Sequence, residues 1–124
     1  MHQQIRTKPV KSPPDLKAFL TVLEQAGINI EAAGGSDIEK DGGEFAFAVA
    51  HGREQDAMKA LVDAKYSPRL EDVDVCWMTN DPGQLLACVA RAAAKNAKSG
   101  RVIKDFAIGV PDSHGRIPVQ IYSE

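Results

Sequence analysis

The same helix start occurs twice in this chain, 69 residues apart: Pro13-Pro14-Asp15-Leu16 and Pro82-Gly83-Gln84-Leu85. Each is followed by one apolar-periodic run and then by a strand pair. A recurrence of this kind constrains the fold more than any single motif, because each copy must be one supersecondary unit. The unit that it describes is the split βαβ, or ferredoxin-like, arrangement.

The first copy reads β-α-β-β-α-β. Ile5 and Val10 bound a short strand, which Pro9 marks as an edge or a bulge. Ser12 caps the helix start, and Leu16, Phe19, Leu20, Leu23 and Ala26 form an i, i+3, i+4, i+7 stripe. Gly27 stops that helix in a left-handed C-cap, and Ile28-Asn29-Ile30 opens the next strand. Residues 36–43 are a polar hairpin loop. In residues 44–50, Phe45, Phe47 and Val49 share one face and alanines the other. A helix over residues 53–64 turns Ala57, Ala60 and Leu61 inward, and residues 66–78 are extended. The second copy reads β-α-β-β. Its helix carries Leu85, Leu86, Cys88, Val89, Ala92 and Ala93 and ends between residues 96 and 100. Strands over residues 101–108 and 117–122 follow, the last marked as an edge or a bulge by Pro118. The expected architecture is α+β, a tandem of βαββαβ (residues 1–70) and truncated βαββ (residues 71–124) with sheets side by side.

Composition excludes several functions. Fifteen basic and seventeen acidic residues give a net charge of −2, with no basic footprint for nucleic acid. No run is apolar enough for a membrane span, and the first residues lack a signal-peptide core, so the expectation is a cytoplasmic protein. Cys76 and Cys88 are expected as free, buried thiols; their spacing is not that of a CxxC motif. His51 and His114 have no ligand partner at metal spacing. The acidic residues Asp37, Glu39, Asp41 and Glu44 lack the calcium-loop spacing and read as a solvated hairpin. Trp77 reads as core or interface. No nucleophile, base and orienting residue assemble, so no enzyme, metal or cofactor is expected.

Asn80-Asp81-Pro82-Gly83-Gln84-Leu85 joins a strand to the second helix. Asn and Asp favour turns and caps, Pro82 presets φ, and Gly83 permits close approach of a ligand. Backbone N–H groups at such a helix start suit an anion. A simple capping turn explains the same residue types, and both readings stand at this level.

With this loop and with Ala26-Gly27-Ile28-Asn29-Ile30, the chain resembles the ACT domain family of ligand-binding regulatory modules. The loop is similar to the family's D-x-P-G-x-L turn and the second stretch to its G-x-N-I junction. Asn80 stands where the family has Asp, and Pro14 replaces the glycine in the first copy. In the second copy, Asn96-Ala97-Lys98-Ser99 stands at the junction. The resemblance implies a ligand between two units, with Asn80, Asp81, Pro82, Gly83 and Gln84 facing Asn29 and Ile30. It implies a non-enzymatic protein sensing an amino acid or related metabolite; separately, the truncated second unit leaves an open sheet edge, which predicts a homodimer. The alternative is an interaction module that has lost its ligand.

Overall fold

The computed structural model describes residues 2–8, 16–36 and 43–124. Among them are six strands and three helices: β1 (His2–Thr7), α1 (Leu16–Gln25), β2 (Ile30–Ser36), β3 (Glu44–Val49), α2 (Glu54–Asp63), β4 (Arg69–Met78), α3 (Gln84–Ala97), β5 (Ile103–Ile108) and β6 (Ile117–Ser123). The Ser12 cap, the Pro14 loop and the acidic hairpin at Asp37, Glu39 and Asp41 lie outside the described residues. The chain divides into two units, Gln3–Glu71 and Asp72–Glu124, the latter joined by His2 at the start of β1, with β4 contributing to both.

In the N-terminal unit the strand order is β2-β3-β1-β4. Alternation along β3 sends Phe45, Phe47 and Val49 to the helix side, where they meet Ile5, Phe19, Leu23, Ala57 and Leu61. Phe19 is the hub: its ring lies edge-on to Phe45 (5.6 Å), Phe47 (5.9 Å) and Tyr66 (5.1 Å). Such pairs add to the area term, and removing a buried Phe side chain costs about 3–5 kcal/mol. β1 is not an edge. It lies between β3 and β4 and ends at Thr7; Pro9 lies outside the described residues.

With Ile5 in the core, its neighbours Gln4 and Arg6 point to the other face. Both are buried. The Arg6 Nε donates to both carboxylate oxygens of Glu71 (2.8 and 2.9 Å), and Gln4 (3.0 Å) and Arg69 (3.1 Å) donate to the same carboxylate. Arg6 also reaches Glu44 at 3.3 Å. Burial alone would push the Glu71 carboxyl up, but the hydrogen bonds from Gln4, Arg6 and Arg69 and the Arg6 charge outweigh it and hold it below the ordinary value of 4.5.

In the C-terminal unit the order is β4-β6-β5. Pro118 therefore sits in a strand flanked on both sides, not at an edge. It is the second residue of β6, where one missing N–H is tolerated, and its carbonyl still accepts from Gly109 at 2.9 Å. α3 buries Cys88, Ala92 and Asn96, an i, i+4, i+8 line, against Met78, Val119 and Ile121. Leu86 and Ala93 face outward, because the line turns a narrower side inward than the apolar residues suggested. Asn96 is buried because its amide is satisfied, donating to the Asp74 carboxylate (2.9 Å) and the Ala92 carbonyl (2.8 Å). Trp77 is half-exposed, with the Arg116 guanidinium 5.7 Å from its ring centre.

The cysteines are not free thiols. Cys76 on β4 and Cys88 on α3 form a disulfide, with Cα atoms 5.7 Å apart. The two residues are distant in motif terms, but the tight strand-loop-helix path brings their β-carbons together.

All three helices stop in the same way. Two or three residues past each helix end a left-handed residue follows, and the next N–H reaches back five residues: Ile28 to Leu23, Tyr66 to Leu61, and Arg101 to Asn96. The left-handed positions are Gly27 (φ 72°), Lys65 (φ 73°) and Gly100 (φ 70°). Two carry glycine, as the conformation favours, and one carries lysine.

Two outcomes follow from this packing. Glu71→Gln leaves Arg6 buried with less than its full counter-charge and should destabilise by about 3 kcal/mol in urea unfolding at neutral pH. Because the folded carboxyl lies below its unfolded value, its contribution is present above pH 4.5 and is lost as pH falls through the folded value, and that part of the acid limb should be missing in the variant. Reducing the disulfide, or replacing both cysteines by serine, reopens a loop with sequence separation 12. It should cost about 3 kcal/mol, read from the same unfolding curves.

Candidate functional site

The expected ligand residues form two local groups, one in each unit. The first lies where α1 hands the chain to β2. The helix stop at Gly27 fixes Ile28 against the core and leaves Asn29 exposed before the strand starts at Ile30. A cleft of about 440 Å³ opens there. Leu20, Leu23, Ile28 and Ile30 line it, with Asn29 and Glu24 as its polar groups. The Asn29 amide makes no hydrogen bond among the described residues. β2 is the outermost strand of its unit and turns one row of backbone groups away from β3. This site can hold a small amphiphile: apolar wall below, an amide and a carboxylate above. Glu24 was not among the residues expected from sequence; its position in the last turn of α1, one turn before Asn29, was the available signal.

The equivalent junction in the C-terminal unit is Gly100-Arg101-Val102-Ile103, not the stretch beginning at Asn96. α3 has 14 residues against 10 in α1, which moves the junction along the chain. The glycine and the isoleucine are therefore both kept, and Val102 stands where the N-terminal unit has Asn29.

The second group is the loop after β4. Asn80, Asp81, Pro82, Gly83 and Gln84 are all exposed. Asn80 and Asp81 do not cap α3. The N-cap is Gly83, in the left-handed region (φ 85°), with no side-chain cap hydrogen bond. Glycine is needed there for its backbone angle, since a Cβ would meet nothing within 4 Å. The Gln84 N–H reaches the Asp81 carbonyl at 3.3 Å and the Ala87 N–H reaches the Gly83 carbonyl at 3.0 Å. Between them, the Leu85 and Leu86 N–H groups have no partner among the described residues. The first turn of α3 holds no acidic residue. An uncapped, uncompensated N-terminus of a long helix presents positive potential and free donors. The Cys76–Cys88 disulfide brackets the loop on both sides and holds its two stems together.

Other features carry no site chemistry of their own. Asp112 caps the turn before β6 through the His114 and Arg116 N–H groups. The Arg116 backbone bond, opposed by burial and reinforced by His114 and the Arg116 charge, keeps its carboxyl below the usual range. Among the described residues no group of three or more His, Cys, Asp or Glu could hold a metal, and no helix is long and apolar enough to cross a membrane.

No protein-family model and no curated protein matches this sequence. Solved structures do match in fold. A protein from Bacteroides thetaiotaomicron is 21% identical with a TM-score of 0.70, over 99% of this chain and 79% of its own. The regulatory subunit of aspartate kinase from Thermus thermophilus, in its ligand-free form, is 23% identical with a TM-score of 0.60, over 97% and 82%. The corresponding subunit from Thermus flavus is 25% identical with a TM-score of 0.58 over the same shares. These likenesses show the fold: an α+β protein with, among the described residues, six strands and three helices.

Gly83→Ala should destabilise by about 1 kcal/mol, because a Cβ strains the left-handed angle. Asp81→Ala should leave thermal stability unchanged, because its side chain caps nothing. A calorimetric loss with Asp81→Ala as large as with Gly83→Ala would show that the carboxylate does hold the helix start.

Proposed function

We propose that the chain is a non-enzymatic, ACT-like regulatory protein built as tandem ferredoxin-like units, residues 1–70 and 71–124, that binds an amino acid or a related metabolite. The start of α3 carries this reading: two free N–H groups, a helix dipole and no acidic residue in the first turn suit a ligand carboxylate. Asn80 and Asp81 supply acceptors for an ammonium group beside that helix start, and in the other unit Asn29 and Ile30, with its apolar neighbours, form a separate candidate contact for a small ligand. Pro82, Gly83 and Gln84 shape the loop. The similarity to regulatory subunits of aspartate kinase supports a regulatory role without assigning the ligand. The proposal includes a cytoplasmic setting, in which the Cys76–Cys88 bond would be subject to the thiol pool.

The test is a thermal-shift panel of the standard amino acids, each paired with its decarboxylated amine. A true ligand at about 100 times its Kd adds roughly 2.7 kcal/mol. The acid should raise Tm and the amine should not. A flat response to the whole panel rejects the reading.

A second reading, an interaction module without ligand, is favoured by one observation. β5 is the outermost strand of its unit, and Phe106, Ile108 and Val110 on or beside it are exposed. It requires a homodimer by light scattering with or without amino acid; a monomer under both conditions removes it.

A further inference from the structure

A second cleft, distinct from the residues above, opens in the N-terminal unit where β1, β3 and the turn from α2 to β4 meet. It measures about 370 Å³. Four cations line it, Arg6, Lys8, Lys65 and Arg69, against one carboxylate, Glu44. Four of the chain's fifteen basic residues thus converge on one concavity of a protein whose net charge is −2. Arg6 and Arg69 are already paired with the buried Glu71 carboxylate, and Arg6 with Glu44 as well, so Lys8 and Lys65 supply the positive charge left unpaired among the described residues, and such charge in a concavity raises the local concentration of an anion.

The cations are not equivalent. Arg6 and Arg69 are both anchored on the buried Glu71 carboxylate, which fixes where their guanidinium groups lie. Lys8 and Lys65 form no ion pair among the described residues, and the Ser67 hydroxyl beside them has no partner there either. Lys65 moreover occupies the left-handed helix stop that Gly27 and Gly100 occupy in the other two helices, so a cation stands over the cleft at a position whose geometry favours glycine.

We propose that this cleft is a binding site for a compact anion of two or more charges, with a phosphoryl group as the chemistry that it fits. The Lys8 and Lys65 ammonium groups meet such an anion as point charges, the exposed Arg69 guanidinium, held on Glu71, adds a planar donor, and Ser67 adds a hydroxyl.

The experiment is isothermal titration of the full chain, at low salt, with inorganic pyrophosphate, inorganic phosphate and citrate. The variant is the double substitution Lys8→Ala and Lys65→Gly. Glycine at position 65 suits the left-handed angle, so the variant keeps its fold and its Tm does not fall. The wild type should bind pyrophosphate saturably at one site, and the variant should bind at least about tenfold more weakly. Saturation by inorganic phosphate as well would mean that the phosphoryl group alone is read; saturation by pyrophosphate only would mean that a linked second phosphate is required, and either supports the site. Equal affinity in wild type and variant, or no saturable heat with either phosphate, overturns it. Citrate binding as tightly as pyrophosphate overturns the phosphoryl assignment.

Discussion

Each of the three described helices must stop within a few residues and return the chain to a strand, and the left-handed turn that achieves this sets the rest. At Gly27 and Gly100 the turn positions the first residues of β2 and β5. At Lys65 it starts the path into β4, which serves both units. The backward hydrogen bonds at the first two stops fix where the following side chain enters the core, so Ile28 and Tyr66 are buried while Asn29, one residue beyond Ile28, is left exposed; the third stop leaves Arg101 exposed. A candidate ligand contact and a cation-lined cleft are both by-products of this one backbone device.

The second constraint is the cost of burying charge. Gln4, Arg6 and Glu71 sit on the face of the sheet opposite the aromatic cluster, and none could be buried alone. Together they satisfy one another, and Arg69 completes the set. In the smaller C-terminal unit, with five residues in its buried apolar cluster, Asn96 bridges to Asp74 and the disulfide ties helix to strand. Burial would raise the Asp74 carboxyl, but the Lys95 and Asn96 hydrogen bonds and the Lys95 charge hold it down, so it stays ionised and keeps its partners.

Much of the element order was legible from periodicity. The stripe at Phe19 and Leu23, the alternation at Phe45, Phe47 and Val49, and the glycine stop at Gly27 each depend on local chain geometry, so the residues announce them. Strand position within a sheet was not legible. Pro9 and Pro118 each suggested an edge, yet β1 and β6 are flanked on both sides, and Pro118 is accommodated near the end of an interior strand. The junction in the second unit was displaced for a similar reason: helix length shifts it, and nothing local marks the extra turn in α3.

The sequence by itself determined that this chain is an α+β protein with a recurring strand-helix-strand pattern, since 3.6- and 2-residue periods and glycine stops are local properties. It also placed Asn80, Asp81, Pro82, Gly83 and Gln84 in a strand-to-helix loop. Only the tertiary structure decided what those residues do there. It made Gly83 the helix start, left Asn80 and Asp81 without a capping role, and joined Cys76 to Cys88. It also gathered Arg6, Lys8, Lys65 and Arg69 around one cleft. The loop outcomes depend on the backbone angles and path that the folded strand and helix impose, and the cleft on contacts between residues far apart in the chain; no local pattern encodes which side chains a sheet will bring together.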